Sequence, residues 1–436
     1  MSNGKTQVQD NKLLALSIVT QFYPPDYAAT GQLIEELALQ LGEQGLSVQV
    51  FTGQPAYAFQ KQTAPAIEQL ATVSVRRSRT TSIWPQRIRG KAISGLLFCI
   101  RSALHLLKRA SRCDVLLVTT APPFLPILAY LIYKLFRSPY ICLIYDLYPD
   151  VAVELKVVSE NHWLVRLWSY LNLCAWKNAQ KVIVLSPSMR ERLIAKCPDI
   201  VDKVVVIHNW ADPQRIVPIA KQQNWFAQSL KLVDTFTILY SGNMGRCHDM
   251  DTILEAARLL AEEPMQFIFI GSGAKRQACQ LYVTQLGLRN CRFLPYQNRQ
   301  DLPYSLTACD LSLVSVSPGM AELVAPSKLY GALAAGRPIA AICESHSYLQ
   351  TLVKEARCGA TFNNGDGAGL AAFIRTLAAN PQLVKQMGRA GRRYLRSHFT
   401  PDLIAKQYSV VLQQVVQEQL NSAYPLRVGQ MAGNKR

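Results

Sequence analysis

Between Gln69 and Cys113 the chain has no aspartate or glutamate, although ten arginines and lysines fall in that span. Cysteine occurs eleven times, yet never as a CxxC pair or with histidine at zinc spacing. That pattern excludes a disulfide framework and a Cys/His metal site, and fits buried thiols in a reducing cytosol. No repeat of solenoid length and no low-complexity tract is present. The opening "MSNGKTQVQDNKLLALSIVTQFYPP" lacks the features of a signal peptide: its lysines precede a short apolar run, Leu13 to Val19, and no small-residue cleavage site follows. A first core strand is expected there. The stretch Val115 to Tyr133 carries no charge and has nominal bilayer-spanning length, but Thr119-Thr120 and Pro122-Pro123 interrupt it. It is expected to be strand, turn and helix.

What the chain does contain bounds it further. Its 436 residues exceed one ordinary core and predict two domains of about 200 residues each. A hydrophobic content of 49% with 17% charged residues is globular. The net charge is +18, and the residues up to His208 hold 23 basic against 14 acidic ones, half of the excess. Locally the excess concentrates in the acid-free span, in Arg76, Arg77, Arg79, Arg87, Arg89, Lys91, Arg101, Lys108, Arg109 and Arg112. It implies a polyanionic partner: phospholipid headgroups, a phosphorylated substrate or nucleic acid.

Short β-rich runs alternate with amphipathic helical stretches. The first half offers "LLALSIV", "SVQVFTG", "VSVRR", "DVLLVTT", "YICLIYD", "KVIVLS" and "KVVVIHN"; the second offers "FTILYSG", "QFIFIGSG", "CRFLPY", "DLSLVSV" and "PIAAIC". Such alternation, run through twice, predicts an α/β protein of two doubly wound, Rossmann-like parallel-sheet domains. The expected divisions are residues 1–210, a polar, proline-bearing linker 211–234, residues 235–400, a helix 401–420 and a disordered tail 421–436.

In such sheets ligands bind at the carboxyl ends of strands, where helix N-termini present free N–H groups. "YSGNMGRCHDMDTILEA", residues 240–256, has that arrangement. Gly242 and Gly245 let the backbone approach an anion, and Asn243 and Arg246 can donate to it. An ordinary βα turn fits the same residues. Asp249 and Asp251 resemble a metal-holding Asp-x-Asp, but no third ligand is in view, and Asp251-Thr252 is expected to cap the next helix. In "VAPSKLYGALAAGRPIAAI" Ser327 is expected as helix cap, with Lys328 in the first turn. A lysine there opposes the helix dipole, which an intervening anion would resolve; a lysine turned to solvent is the other reading. In the first half, Thr30-Gly31 offers backbone donors at a helix start. Asp146 follows a buried-type strand, with Asp150 and Glu154 close by. Asp146 is thus placed to react, or else to cap a helix. His105 and His162 sit among apolar residues and are expected to be packed.

Taken in order, "FYPP…TG", "YDLYPDVAVEL", "IHNWAD", "YSGNMGRCHDMDTILEAA", "FIGSG" and "PSKLYGALAAGRPI" resemble glycosyltransferase family 4, retaining enzymes of GT-B architecture, over about residues 13–400. The likeness is strongest to bacterial exopolysaccharide and O-antigen members of the colanic-acid type. It implies two Rossmann-like domains facing a central cleft, the first binding the acceptor and the second a UDP-, GDP- or dTDP-sugar. Gly242, Asn243, Gly245 and Arg246 would lie along the diphosphate, with Ser327 and Lys328 opposite and the base near Leu294 to Tyr296. Gly31 would close over the donor, and Asp146 falls near the sugar-facing catalytic position. Asp146, Arg246 and Lys328 are therefore the expected catalytic residues, with no metal or other cofactor.

Two positions depart from the family pattern. Asn243 and His248 stand where many members have arginine and lysine. Leu323 and Gly331 stand where many have glutamates eight residues apart, with Glu322 one residue off. The resemblance also implies a polyprenyl-phosphate-linked acceptor and a cytoplasmic enzyme, peripheral on the inner membrane face. Residues 84–112 suit that, pairing Trp84, Leu96, Leu97, Phe98, Ile100, Leu104, Leu106 and Leu107 with basic residues; a core helix whose polar side is basic is the other reading. Two other classes remain open: a sugar-nucleotide epimerase of similar fold, and a basic nucleic-acid- or membrane-binding protein without catalysis. Against the nucleic-acid reading, no nucleic-acid module is recognisable.

Overall fold

The structure is a computed structural model; it describes residues 14–26, 28–55, 63–79, 88–109 and 113–423. One compact unit takes the residues up to Ile141 and from Ser409, and the second spans Cys142–Tyr408.

The first sheet contains β1 (Ala15–Val19), β2 (Ser47–Thr52), β3 (Ile67–Leu70), β4 (Val73–Arg77), β5 (Val115–Thr119), β6 (Tyr140–Ile144), β7 (Lys181–Val184) and β8 (Val204–Val206). Their order is β3-β4-β2-β1-β5-β6-β7-β8. The pairs β1–β2, β1–β5, β2–β4 and β7–β8 are parallel, whereas β3 pairs with β4 in an antiparallel register in place of the parallel one expected. Thr120 to Phe124 form a turn after β5, and Pro126 enters the first turn of the helix Leu125–Phe136. The apolar stretch from Val115 is therefore strand, turn and helix. Among the described residues no helix is long and apolar enough to cross a membrane.

The second sheet contains β9 (Phe236–Ser241), β10 (Met265–Ile270), β11 (Cys291–Leu294), β12 (Leu311–Ser315), β13 (Ile339–Ile342) and β14 (Gly359–Phe362). All its pairs are parallel, in the order β11-β10-β9-β12-β13-β14. The chain leaves β9 toward one edge and returns at β12 on the other side. The carboxyl ends of β9 and β12 thus form the topological switch point where such sheets bind ligands. Its core holds Tyr240, Phe267 and Phe269 from the central strands, packed on Ile253, Leu254, Leu370 and Ile374 from helices.

Two strands escaped the sequence reading for physical reasons. β3, "IEQL", is half polar and exposed at an edge. β14 opens on glycine, since a Cβ at Gly359 would lie 1.8 Å from the Ile339 carbonyl oxygen. The segment expected as a linker contains a 3-10 turn, Lys221–Gln223, and a short helix, Trp225–Ser229. Polar contacts order it. The buried Lys221 Nζ donates to Thr235 O (2.6 Å) and Asp310 Oδ2 (2.6 Å), and Asn224 Oδ1 accepts from Phe226 N at 2.9 Å. The last helix extends past residue 420, as Pro401–Ala423; residues 424–436 lie outside the described part. All eleven cysteines are free thiols.

Candidate active site

The turn after β9 is clamped from beneath. Gly242 N donates to Ile270 O (2.8 Å), Met244 N to Ser272 O (2.7 Å), and Lys275 N back to Met244 O (2.9 Å). This approach requires the glycines of "FIGSG": a Cβ at Gly271 would lie 2.1 Å from Gly242 O, and at Gly273 2.5 Å from Met244 O. Both also have left-handed backbones, with φ of +131° and +142°. The Gly242 N–H is thereby spent inside the protein, on the Ile270 carbonyl. Gly242 itself has φ +130°, and the Asn243 amide folds over Gly245.

Lys328 reaches this turn from the helix Lys328–Ala334. Its Nζ donates to Tyr240 Oη at 2.7 Å, lies 4.4 Å from the centroid of the same ring, and is 3.4 Å from both His248 ring nitrogens. Tyr240 Oη in turn donates to Asn243 O at 2.9 Å. His248 Nδ1 lies 2.8 Å from Ser315 O at the end of β12. A carbonyl can only accept, so Nδ1 carries the proton and Nε2 is bare. Burial, then the Lys328 charge, pull His248 down to about 3. Burial also brings Lys328 down to about 7, so near neutrality its ammonium and free amine coexist. Ser327 occupies the cap position, but its backbone is already helical and its side chain makes no cap bond, contrary to expectation.

Asp146 joins the same neighbourhood through its backbone, which bridges Val324, while Leu147 N donates to Leu323 O at 2.9 Å. Burial raises its carboxyl to about 6. Cys247 feels Asp146, Lys275 and Lys328 together, although burial is the main reason its thiol is pushed up to about 12. Asp150 is structural, ion-paired with Arg192 (3.1 Å) and Lys196 (2.5 Å). Glu322 lies 3.9 Å from Arg192, Leu323 is buried, and a Cβ at Gly331 would meet Leu306 Cδ1 at 3.4 Å.

Arg246 is exposed on the wall of a cleft of about 720 Å³, together with Glu154, Lys156, Asp251, Glu255 and Lys275. Lys275 Nζ donates to His248 O at 2.7 Å. The helix cap expected of Asp251-Thr252 is made by Asp249. Its carboxylate accepts from Thr252 N (3.0 Å), Thr252 Oγ1 (2.7 Å) and Asn364 Nδ2 (2.7 Å). Leu294 O accepts from Gly271 N at 3.0 Å, and the Tyr296 ring would lie 3.3 Å from a Cβ on Gly271.

Gly31 donates its N–H to Ala28 O at 2.9 Å, so it is not a spare donor; a Cβ there would strike Tyr23 N at 2.9 Å. His105 stacks on Phe51, with centroids 4.1 Å apart. His162 is exposed and caps a helix, accepting from Leu164 N at 3.2 Å, where packing was expected. On the helix Ile88–Arg109, Ile93, Leu96, Ile100, Leu104 and Leu107 form one exposed stripe, whereas Phe98 and Leu106 are buried. Trp84, Arg87 and Arg112, and the side chains of Arg89, Lys91 and Arg109, lie outside the described part. Tyr240 was not anticipated, because a tyrosine at a strand end reads as core.

Two family profiles divide the chain at the segment between its sheets. The profile described as Glycosyltransferase Family 4 matches residues 30–215, and that of Glycosyl transferases group 1 matches residues 221–394. The chain belongs to this glycosyltransferase family. It is 24% identical over 335 residues to WbjE of Pseudomonas aeruginosa, assigned as a glycosyltransferase, covering 76% of this chain and 82% of that one. It is 33% identical over 177 residues to WcaI of Escherichia coli, assigned as a colanic acid biosynthesis glycosyl transferase, covering 40% and 43%. Its fold is GT-B. Sucrose-phosphate synthase of Thermosynechococcus elongatus superposes with TM-score 0.71 at 17% identity, covering 93% of this chain and all of that one. HepE of Anabaena, solved with UDP-glucose, does so with 0.66 at 16%, covering 93% and 99%.

Proposed function

We propose that this glycosyltransferase moves a sugar, with retention, from a nucleotide-sugar donor to a lipid-linked or polysaccharide-precursor acceptor in cell-surface polysaccharide biosynthesis. The observation that carries the donor half is the meeting of Lys328 with the turn after β9 at the switch point of the second sheet. An anion bound there gains a charge-assisted donor from Lys328 and a second cation from Arg246, aimed where charge grows as the diphosphate leaves. The acceptor hydroxyl attacks on the face the diphosphate vacates, and its proton passes to that phosphate. Asp146 faces the sugar, and the base packs near Leu294 and Tyr296. The likeness to WcaI, named for colanic acid biosynthesis, and the UDP-glucose held by HepE support this reading.

A lipid-linked acceptor calls for a surface that meets the membrane. The stripe from Ile93 to Leu107, with the exposed Lys108 beside it, supplies apolar area and charge for an interfacial contact. The decisive experiment is a thermal-shift panel of UDP-, GDP- and dTDP-sugars. One of them at a hundredfold excess over its dissociation constant stabilises the wild type by about 2.7 kcal/mol, and Lys328→Ala loses most of that gain. If none of the three raises the melting temperature, the donor reading fails.

A further inference from the structure

From Gly367 to Pro401 the chain again lacks any aspartate or glutamate, while six arginines and lysines occur. Most of this run is the helix Pro381–His398. Glycines fix its inner side: a Cβ at Gly388 would lie 2.1 Å from Gly336 O, and at Gly391 2.8 Å from Cys358 Cβ. Arg392 is also tied down, donating to Ile216 O and Pro213 O, both at 2.7 Å. With the inner side fixed, the direction of the outer side follows.

That outer side presents Lys385, Arg389, Arg393 and Arg396, all exposed. Spacings of four, four and three residues align them on one face over about 16 Å. Among the described residues none of the four side chains has a hydrogen-bond or ion-pair partner. Glu355, on the neighbouring helix Tyr348–Ala356, already accepts from Tyr394 Oη at 2.9 Å. The Arg396 charge adds to burial in lowering Arg392. Like charges at this spacing weaken a helix, so the row is a local cost unless an anionic surface meets it.

We propose that this row is an electrostatic docking face for an anionic bilayer, additional to the apolar stripe of the Ile88–Arg109 helix. A straight row of cations suits a plane of headgroups. No large apolar side chain of this helix is exposed among the cations, so stacking of nucleic-acid bases has no platform. The inference rests on the reading that the acceptor is lipid-linked, and it gives the enzyme a contact that needs charge alone.

The test is partitioning of the full-length protein onto phosphatidylcholine vesicles with and without phosphatidylglycerol. Each cation near an anionic surface is worth about fivefold in binding. The variant Lys385→Gln/Arg389→Gln/Arg393→Gln/Arg396→Gln should therefore lose on the order of several hundredfold, only on phosphatidylglycerol vesicles. If it fails to fold by circular dichroism, the two paired variants, Lys385→Gln/Arg389→Gln and Arg393→Gln/Arg396→Gln, should each lose about 25-fold. A separate Leu96→Ser/Ile100→Ser/Leu104→Ser variant reports on the apolar stripe. If the glutamine variants partition within twofold of wild type, the row is not a docking face, whether or not the serine variant still binds. Tight binding of a short RNA by wild type without vesicle binding would overturn the proposal in favour of nucleic acid.

Discussion

Lys328 Nζ and Tyr240 Oη lie 2.7 Å apart, joining the first turn of one helix to the end of the central strand β9. Tyr240 passes that bond on to Asn243 O. Lys328→Ala removes one charge-assisted contact to a developing anion, and its turnover should fall by about a hundredfold or more with the fold intact. Activity within threefold of wild type would make Lys328 a bystander. Tyr240→Phe keeps the ring but leaves Asn243 O and Lys328 short of a partner. Its kcat/KM should drop about tenfold, consistent with roughly 1–3 kcal/mol for a buried group left unsatisfied. Unchanged kinetics would remove Tyr240 from the site.

The depressed Lys328 makes stability depend on pH with a definite sign. Its folded value is about 7 against an ordinary 10.5, so between those limits the unfolded chain binds more protons. Stability from this group therefore rises with pH across that window. Lys328→Met should stabilise the protein near pH 7, with a gain that shrinks toward pH 10. Unfolding free energies of both proteins over that range check it; a constant difference would mean that Lys328 titrates normally.

The glycines separate support from mere size. Gly273→Ala places a Cβ against Met244 O in a left-handed backbone and should cost about 1–3 kcal/mol, with donor binding lost alongside. Gly331→Ala meets only Leu306 Cδ1 inside a helix and should be neutral or stabilising by up to about 1 kcal/mol. Calorimetric melting of the two variants decides, and equal melting temperatures would dismiss the clamp beneath the turn.

Activity should persist in EDTA. The Asp249 carboxylate is occupied by Thr252 and Asn364, and the cations around the turn can balance a leaving diphosphate. Asp249→Ala should cost about 0.5–2 kcal/mol as a lost cap, whereas Asp251→Ala should leave stability nearly unchanged. Full loss of activity on chelation, restored by manganese or magnesium, would reverse this assignment.

Parts of this architecture were legible because they depend on short-range chemistry. Buried strands such as "LSLVS" and "FTILYS" announce themselves, and the glycines after β9 mark a turn. The clamp was not legible: that Gly273 touches Met244 depends on two loops from adjacent strands meeting in space. Asp249 and Asp251 are alike in sequence; in the fold Asp249 caps through Thr252 and is also held by Asn364, more than a hundred residues later. Tyr240 follows the same rule, since its partner Lys328 is 88 residues away.

The segment that leaves the first sheet has a mechanical consequence for Lys328. His208 Nδ1 lies 3.2 Å from Tyr330 Oη, and Phe399 packs edge-on against the Tyr330 ring with centroids 5.2 Å apart. Tyr330 sits two residues after Lys328 on the same seven-residue helix. Sliding or rolling that helix would drag Tyr330 off both anchors. The helix is a pinned axle, and any reach of Nζ toward a ligand falls to the four torsions of the lysine side chain.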